Sequence, residues 1–270
     1  MNRGLCVALI AMTAGVLCTL LVTAQQAPEP APWLQMTLVQ VAPANMDDFI
    51  VAQRDVTNRL RRGSAPVGAA AGARGGGPSG TNYRIVSRGE FGDTNRFVIA
   101  TPVQSLATFD NAAQNADPEL TLLNAKAVRY VTGQQSFAIR NLPEINNPMP
   151  PNQQPALMVI NLVHVAPGRE QDYYNLMKSD FFPHFDKASV FHTTGSLVFG
   201  GESGFVHQYF YANFAALDAG SPIVKALGAG GAQAVTAKLA GILTNSEQWI
   251  TRVVPELSFG GWPANAPARP

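Results

Sequence analysis

The sequence contains only two cysteines, and both lie close to its N-terminus. Cys6 and Cys18 fall inside a nearly unbroken apolar run, Leu5–Leu21, which follows the positively charged start Asn2-Arg3. A chain that loses this run has no disulfide bond, no thiolate nucleophile and no cysteine metal ligand. Such a protein must be held together by its hydrophobic core.

The N-terminal segment 1–24 is predicted to be a secretory signal peptide. Small residues at Val22-Thr23-Ala24 follow the apolar run, where a signal peptidase would cleave. An uncleaved N-terminal anchor is the alternative, because the apolar run is longer than the usual h-region of roughly 7–15 residues. Cleavage predicts an exported protein, periplasmic or extracellular, that is not attached to the membrane after processing.

The chain also lacks a surplus of positive charge. Its 19 Lys and Arg residues are balanced by 18 Asp and Glu residues, and removal of Arg3 with the signal peptide makes the two counts equal at 18. Proteins that bind nucleic acid neutralise phosphates with an excess of basic side chains. The composition therefore predicts no nucleic-acid partner.

Motifs that identify common active sites are missing as well. The glycine-rich stretch Gly63–Gly80 has no G-x-x-x-x-G-K-[ST] pattern, no serine lies in a G-x-S-x-G setting, and no histidine pair has metal-ligand spacing. The sequence therefore predicts no phosphate-binding loop and no serine hydrolase triad. It also assigns no metal ligands.

The chain does contain an internal repeat. Val39-Gln40-Val41-Ala42-Pro43 is echoed by Val163-His164-Val165-Ala166-Pro167 at an offset of 124 residues, and later segments recur at offsets of 108 and 112. The offset falls because the glycine-rich stretch occurs only in the first copy. Self-similarity at three places indicates two homologous units.

Each copy has the pattern strand, helix, strand, strand, helix, strand, which is the order of the ferredoxin-like split unit. The fold class is therefore α+β. The predicted parts are a lead-in at 25–32, a first unit at 33–145 with a flexible loop at 63–80, a proline-rich linker at 146–155, a second unit at 156–259 and a disordered tail at 260–270.

The second copy opens with Val165-Ala166-Pro167-Gly168 before an acidic helix. A β-α-β-β-α-β unit with this turn resembles the dimeric α+β barrel superfamily, which includes antibiotic-biosynthesis monooxygenases and the EthD-like, NIPSNAP-type and chlorite dismutase-related proteins. The first copy departs from the pattern, because Ala44 replaces the glycine. The resemblance implies that the two units pack sheet to sheet as one intramolecular α+β barrel. It also implies a ligand pocket between the sheet and the helices of one unit.

All four histidines lie in the second copy, at His164, His184, His192 and His207. Side-chain alternation puts His164 on the same strand face as Met158 and Leu162. Because this face is the more apolar of the two, we assign it to the helix side, with His164 at the rim of the pocket. Three interpretations of the histidines stay open: a metal or haem-iron site, a polar lining of a small-molecule pocket, and buried or surface side chains satisfied by their neighbours.

An aromatic helix follows the repeated turn in the second copy, with Tyr173-Tyr174 and Phe181–Phe185. It is either a pocket lid with His184 facing the ligand or a helix that packs its aromatic residues on the sheet. Packing is favoured, because aromatic residues dominate core burial. Pro183 predicts a kink or an end of this helix.

The leading hypothesis is that the second unit binds a small, largely apolar molecule. The predicted ligand-binding residues are Asn161, His184, His192, His207, Tyr209 and Tyr211. If the resemblance extends to activity, the protein is a cofactor-independent oxygenase, with His164 as the catalytic base. The alternatives are a non-catalytic exported scaffold and a haem-binding protein. Haem is the one cofactor that the resemblance suggests, and the chain is expected to be a monomer or a homodimer.

Overall fold

The computed structural model describes residues 32–63, 83–110, 117–149, 155–187, 190–218 and 220–260. The predicted signal peptide, nearly all of the lead-in and the glycine-rich loop, positions 150–154 of the linker and the tail after Gly260 lie outside these residues. In the described ranges, no helix is both long enough and apolar enough to cross a membrane.

The first copy folds in the predicted order. β1 (Trp33–Val41) leads to α1 (Met46–Gly63), the hairpin of β2 (Ile85–Gly89) and β3 (Arg96–Val103), α2 (Pro118–Val128) and β4 (Val131–Asn141). Ser105 caps a short 3-10 turn after β3, because its hydroxyl accepts a hydrogen bond from the main-chain N–H of Ala107. Asp117 caps α2 in the same manner, and Pro118 occupies the first helical position, where no N–H is needed.

The second copy repeats this order. β5 (Leu157–Val165) is followed by α3 (Glu170–Leu176), α4 (Phe182–Lys187), the hairpin of β6 (His192–Phe199) and β7 (Gly204–Tyr211), α5 (Pro222–Lys238) and β8 (Leu243–Val253). α3 continues into α4 through a π-helical turn, Met177–Phe181. The extra residue in this turn distorts the helix just before Pro183, so that the helix bends instead of ending.

The eight strands close into one antiparallel barrel in the order β1-β3-β2-β8-β5-β7-β6-β4. The two units join where β2 pairs with β8 and where β6 pairs with β4. These two junctions are equivalent, because each pairs the second strand of one unit with the last strand of the other. The duplicated sequence therefore forms one intramolecular α+β barrel with pseudo-two-fold symmetry, as predicted.

Repeat-related residues occupy equivalent positions in the strand register. Gln40 on β1 lies opposite Gly133 on β4, and His164 on β5 lies opposite Asn245 on β8. Gln40 and His164 differ by 124 positions and their partners by 112, which are two of the offsets in the sequence. The register therefore confirms that the repeated segments are structural counterparts.

Each unit ends in a short turn that inserts into the other unit. Ile145 of the first unit is 1% exposed and packs in the core between the sheet and the helices of the second unit. Its counterpart in the second unit, Leu257, is 0% exposed and packs in the corresponding core of the first unit. Each copy thus completes the core of the other, so that neither core is closed by its own unit alone.

Charged residues that recur in the repeat also connect the units. Glu144 accepts a hydrogen bond of 2.9 Å from a tyrosine hydroxyl on α3, and Glu256 forms an ion pair of 2.7 Å with Arg54 on α1. Arg252 makes a bidentate contact with Glu90, at 2.6 and 3.0 Å, beside the β2–β8 junction. Glu144 and Glu256 occupy equivalent positions of the two copies, 112 residues apart, and both contact the other unit.

The predicted orientation of β5 is wrong. Met158 and Leu162 face the interior of the barrel, whereas Val159 and Val163 face the helices. His164 lies on the same face as Met158 and Leu162 and points into one end of the barrel. Because both faces of β5 are covered, the apolar content of a face does not reveal whether it faces the helices or the interior.

Candidate functional site

A cavity of about 600 Å³ opens at one end of the barrel. We call it the mouth. Its lining includes five pairs of repeat-related residues: Leu38 with Leu162, Gln40 with His164, Gly133 with Asn245, Gln135 with Glu247, and Phe137 with Trp249. The mouth is therefore built by both units around their pseudo-two-fold relation.

The two sides of the mouth differ in chemistry. The first unit contributes the neutral amides of Gln40 and Gln135, whereas the second contributes the imidazole of His164 and the carboxylate of Glu247 at the equivalent positions. The β6–β7 hairpin adds a second carboxylate, Glu202. Groups able to exchange protons therefore concentrate on the second-unit side.

His164 is the most buried polar residue of the mouth, with 8% exposure. Its Nδ1 lies 3.7 Å from Oε2 of Glu202, and its Nε2 lies 4.0 Å from Oε1 of Glu247. Both distances are longer than a hydrogen bond, and Nδ1 has no hydrogen-bond partner among the described residues. A buried nitrogen without a partner is energetically costly, and Nδ1 of His164 lacks the partner that buried polar atoms normally have.

The positive charge of the mouth comes from the first unit. The guanidinium of Arg96 lies over the indole of Trp249, 5.4 Å from the ring centre, which is a cation–π distance. Arg96 also lies 3.6 Å from the carboxylate of Asp93. Asp93 in turn accepts a hydrogen bond of 3.0 Å from the amide of Gln40. Arg96 is thus partly neutralised within its own unit.

Four of the predicted site residues lie on the other face of the second sheet, against the helices. His192, His207, Tyr209 and Tyr211 share this face and are each at most 5% exposed. The structure therefore brings these four side chains together and separates them from His164. Sequence alternation could not settle this point, because the histidines lie on three different strands.

His207 is enclosed by two hydroxyl groups. Its Nε2 lies 2.7 Å from the hydroxyl of Tyr173, and its Nδ1 lies 3.0 Å from the hydroxyl of Thr194. Burial lowers the pKa of His207 to about 3, and the nearby His192 adds to this shift. His207 is therefore neutral at ordinary pH. Burial also raises the pKa of Tyr209 well above its usual range and that of Tyr211 to about 12.

His192 fastens the end of the first unit to the second. Its Nδ1 and Nε2 each lie 3.0 Å from a carbonyl oxygen, of Val190 and of Ile145 respectively. Its ring stacks on Phe182, with centroids 4.9 Å apart and an angle of 17° between the planes. The contacts of His192 and His207 match the interpretation in which buried histidines are satisfied by their neighbours.

The remaining predicted residues lie at the edge of this region. Asn161 accepts a hydrogen bond of 2.8 Å from the amide of Gln248 on the outer surface, and His184 is partly exposed on α4. Phe181 and Phe185 of the aromatic helix are 1% and 0% exposed. The helix therefore packs its aromatic residues on the sheet, as the favoured interpretation predicted, and these two residues do not cover an open pocket.

A haem does not fit the residues described on this helix-facing side. Haem iron is held by a histidine, cysteine, methionine or tyrosine side chain, and on this side both ring nitrogens of His192 and of His207 already contact protein groups. The space beside them holds Phe182, Phe185 and Tyr209 in one packed cluster. In the part of the chain that the structure describes, no group of three or more His, Cys, Asp or Glu side chains is arranged to hold a metal ion.

No protein-family model and no curated protein sequence matches the chain, but solved structures do. A candidate monooxygenase from Lactobacillus acidophilus superposes with a TM-score of 0.57 and 11% identity, over 85% of this chain and 96% of that one. For a candidate monooxygenase from Fusobacterium nucleatum, the TM-score is 0.59 and the identity 12%, over 86% and 96%. An anthrone oxidase-like protein gives 0.52 and 10%, over 84% and 93%.

The chain has the dimeric α+β barrel fold. The resemblance inferred from the turn after β5 is thereby confirmed at the level of fold. Both halves of the barrel lie in one polypeptide, as the internal repeat predicted. Identities of 10–12% establish the fold alone. The activities of these proteins therefore apply to this chain only as proposals.

Sequence reasoning selected His164 but missed the acidic residues beside it. Glu202 lies in a hairpin and Glu247 near the start of β8, so no local motif joins either of them to His164. A signal was nevertheless present in the repeat, because Gln40 and Gln135 of the first copy become a histidine and a glutamate in the second. Paired changes at neighbouring sheet positions indicate where two copies have diverged in chemistry.

Proposed function

We propose that the protein binds a small molecule in the mouth of the barrel and that His164 contacts its polar group. The observation that carries the proposal is the buried Nδ1 of His164, which lines the mouth and has no hydrogen-bond partner in the described structure. An apolar floor that includes Leu162 and Trp249, together with a few polar groups, is the usual composition of a ligand site. The cavity volume of about 600 Å³ is also within the usual range for such sites.

The enzymatic form of the proposal is a cofactor-independent oxygenase. His164 would act as general base and take a proton from the substrate, and the substrate anion would then react with dioxygen. Glu202 and Glu247 flank this imidazole, with carboxylate oxygens 3.7 and 4.0 Å from its nitrogens. The fold shared with candidate monooxygenases supports this reaction class by analogy only.

Binding can be tested with a library of small molecules screened by thermal shift. A ligand present at 100 times its Kd stabilises the folded state by about 2.7 kcal/mol. We expect hits that stabilise the wild type and a His184→Gln control but not His164→Gln. Glutamine is a suitable replacement, because the first copy carries Gln40 at the equivalent position. Hits that stabilise His164→Gln as strongly as the wild type would refute the proposal.

Catalysis can be tested with the same hits by measuring oxygen uptake. We expect uptake in the wild type and in His184→Gln, and its loss in His164→Gln while the circular dichroism spectrum is retained. Ligand effects that are unchanged in His164→Ala, His192→Ala and His207→Ala would instead favour a non-catalytic scaffold.

Export of the protein remains part of the proposal. It is supported by the charged start, the apolar run Leu5–Leu21 and the small residues Val22-Thr23-Ala24. The mass of the protein recovered after secretion should correspond to a chain that begins at Gln25. A protein that retains Met1 and stays with the membrane fraction would instead establish an uncleaved anchor.

A further inference from the structure

We propose that the ligand of the mouth is a small organic cation that can donate an N–H hydrogen bond, such as an arylalkylamine in its ammonium form. This inference rests on the proposed function, because it specifies the class of molecule that the mouth binds. Three features carry it: two carboxylates without a lysine or arginine partner, the orphaned nitrogen of His164, and the aromatic floor.

The first feature is uncompensated negative charge. In the described structure, the ion pairs of Glu202 and Glu247 are with His164 only, and no Lys or Arg nitrogen lies within 4.0 Å of either carboxylate. The one cation that lines the mouth, Arg96, has Asp93 at 3.6 Å. The second-unit side of the mouth therefore favours a positive group, because an opposite charge close to a carboxylate lowers its energy.

The second feature is Nδ1 of His164. This atom is buried and has no hydrogen-bond partner among the described residues, and the residue to which it belongs lines the mouth. A neutral imidazole nitrogen accepts a hydrogen bond from an N–H donor. A primary ammonium group that approaches Glu202 and Glu247 would donate one of its protons to this nitrogen. The same group would therefore satisfy both the acceptor and the two carboxylates.

The third feature is the floor of the mouth. Phe137 and Trp249 are repeat-related aromatic residues, and both line the cavity. Trp249 already accommodates the guanidinium of Arg96 at 5.4 Å from its ring centre, which shows that this indole can face a cation. An arylalkylamine would place its ring in the apolar part of the mouth and its ammonium group at the rim.

The difference between the two copies of the repeat also favours a cationic ligand. Gln40 and Gln135 can donate as well as accept hydrogen bonds, whereas Glu247 only accepts when ionised. The second copy therefore has groups that favour a donor at positions where the first copy has amides. This asymmetry gives a bound cation one orientation within an otherwise pseudo-symmetric barrel.

The test compares four probes of similar size by isothermal titration calorimetry: benzylammonium, benzyltrimethylammonium, benzyl alcohol and benzoate. We expect benzylammonium to bind about tenfold more tightly than benzyl alcohol, as for a hydrogen bond that involves a charged group. Benzyltrimethylammonium should bind less tightly than benzylammonium, because it carries the charge without an N–H. Benzoate should bind most weakly.

Variants of the protein identify the side chains that bind the ammonium group. The double variant Glu202→Gln/Glu247→Gln should weaken the binding of benzylammonium by about tenfold, since an exposed carboxylate contributes a factor of about two to five. Its affinity for benzyl alcohol should change less than twofold. Asp48→Asn removes an exposed carboxylate on α1 and is the control for net charge, with no expected effect on either probe.

The outcomes separate this inference from the proposed function. Suppose that benzyl alcohol or benzoate binds at least as tightly as benzylammonium and that this binding is lost in His164→Gln. That result would overturn the cation inference but would support small-molecule binding in the mouth. Failure of all four probes would also overturn the cation inference, while the library screen with His164→Gln decides the proposed function independently. Equal loss of affinity in Asp48→Asn would show that the effect comes from net charge and not from the mouth.

Discussion

Replacement of Ile145 by alanine should destabilise the whole barrel and not only the unit to which Ile145 belongs. The side chain is 1% exposed and lies in the core of the second unit, although the first copy encodes it. Truncation of a fully buried isoleucine or leucine to alanine costs about 2–5 kcal/mol. Because domains have a total stability of about 5–15 kcal/mol, this loss is large enough to be measured by denaturant unfolding.

Leu257→Ala is the reciprocal experiment. Leu257 is 0% exposed in the core of the first unit, so we expect a loss in the same range of about 2–5 kcal/mol. Leu122→Ala is the matched control, because Leu122 is 60% exposed on α2 and its truncation should cost less than about 0.5 kcal/mol. Ile145→Val should fall between these values, at about 0.5–1.5 kcal/mol.

The assay is urea unfolding followed by the fluorescence of one tryptophan at a time. Trp33 reports on the first unit and Trp249 on the second, once the remaining tryptophans have been replaced by phenylalanine. Because the turns interlock the units, both reporters should show one coincident transition, which Ile145→Ala shifts equally. Two separate transitions, or an Ile145→Ala effect confined to Trp33, would refute the account of reciprocal insertion.

Three further predictions follow from single residues. His207 has a pKa of about 3 when folded and about 6.5 when unfolded, so the unfolded state binds the extra proton as pH falls and about 2 kcal/mol of stability should be lost between pH 8 and pH 5. This loss should disappear in His207→Gln, whereas an identical pH profile in that variant would contradict the assignment. Gly200→Ala should cost more than Gly168→Ala. Both glycines have positive φ, at 96° and 80°, but only at position 200 would a Cβ meet a main-chain carbonyl oxygen of β4, at 2.1 Å. Equal Tm values for the two variants would refute the predicted collision. Glu90→Gln removes a bidentate ion pair and should cost about 1 kcal/mol or less at pH 7, because the pair is partly exposed. The interaction with Arg252 lowers the pKa of Glu90, so this difference should vanish at acid pH, when the carboxylate is protonated. If the stability difference between Glu90→Gln and the wild type persists in acid, its cause is packing and not the ion pair.

The repeat predicted most of the fold, because strand and turn chemistry are local. Gln40 and His164 end equivalent strands, and the offsets of 124, 108 and 112 reproduce the pairing of β1 and β5 with their neighbours. The beginnings of β4 and β8 are not evident from the sequence. Residues 132–135 and 244–247 are polar and exposed, so they show no alternation, and only pairing with a central strand holds them extended.

The position of the candidate site could not be predicted, because it depends on barrel closure. Val159 and Leu162 lie on opposite faces of β5, yet both faces are buried. Only the closure of β2 on β8 and of β6 on β4 makes the second buried face the interior of a barrel. Pairing of β5 with β8 places Glu247 beside His164, and side-chain alternation puts His164 and His207 on opposite faces of the sheet.

The most direct test of the central claim is to observe the histidine ring nitrogens while a ligand is added. Long-range proton–nitrogen correlation spectra of 15N-labelled protein should resolve His164, His192 and His207 during a titration with benzylammonium or with a hit from the library. We predict that the ring resonances of His164 shift, while those of His192 and His207 stay in place because protein groups already bind their nitrogens. Shifts confined to His192 and His207 would place the ligand between the sheet and the helices and would contradict the assignment of the site to the mouth.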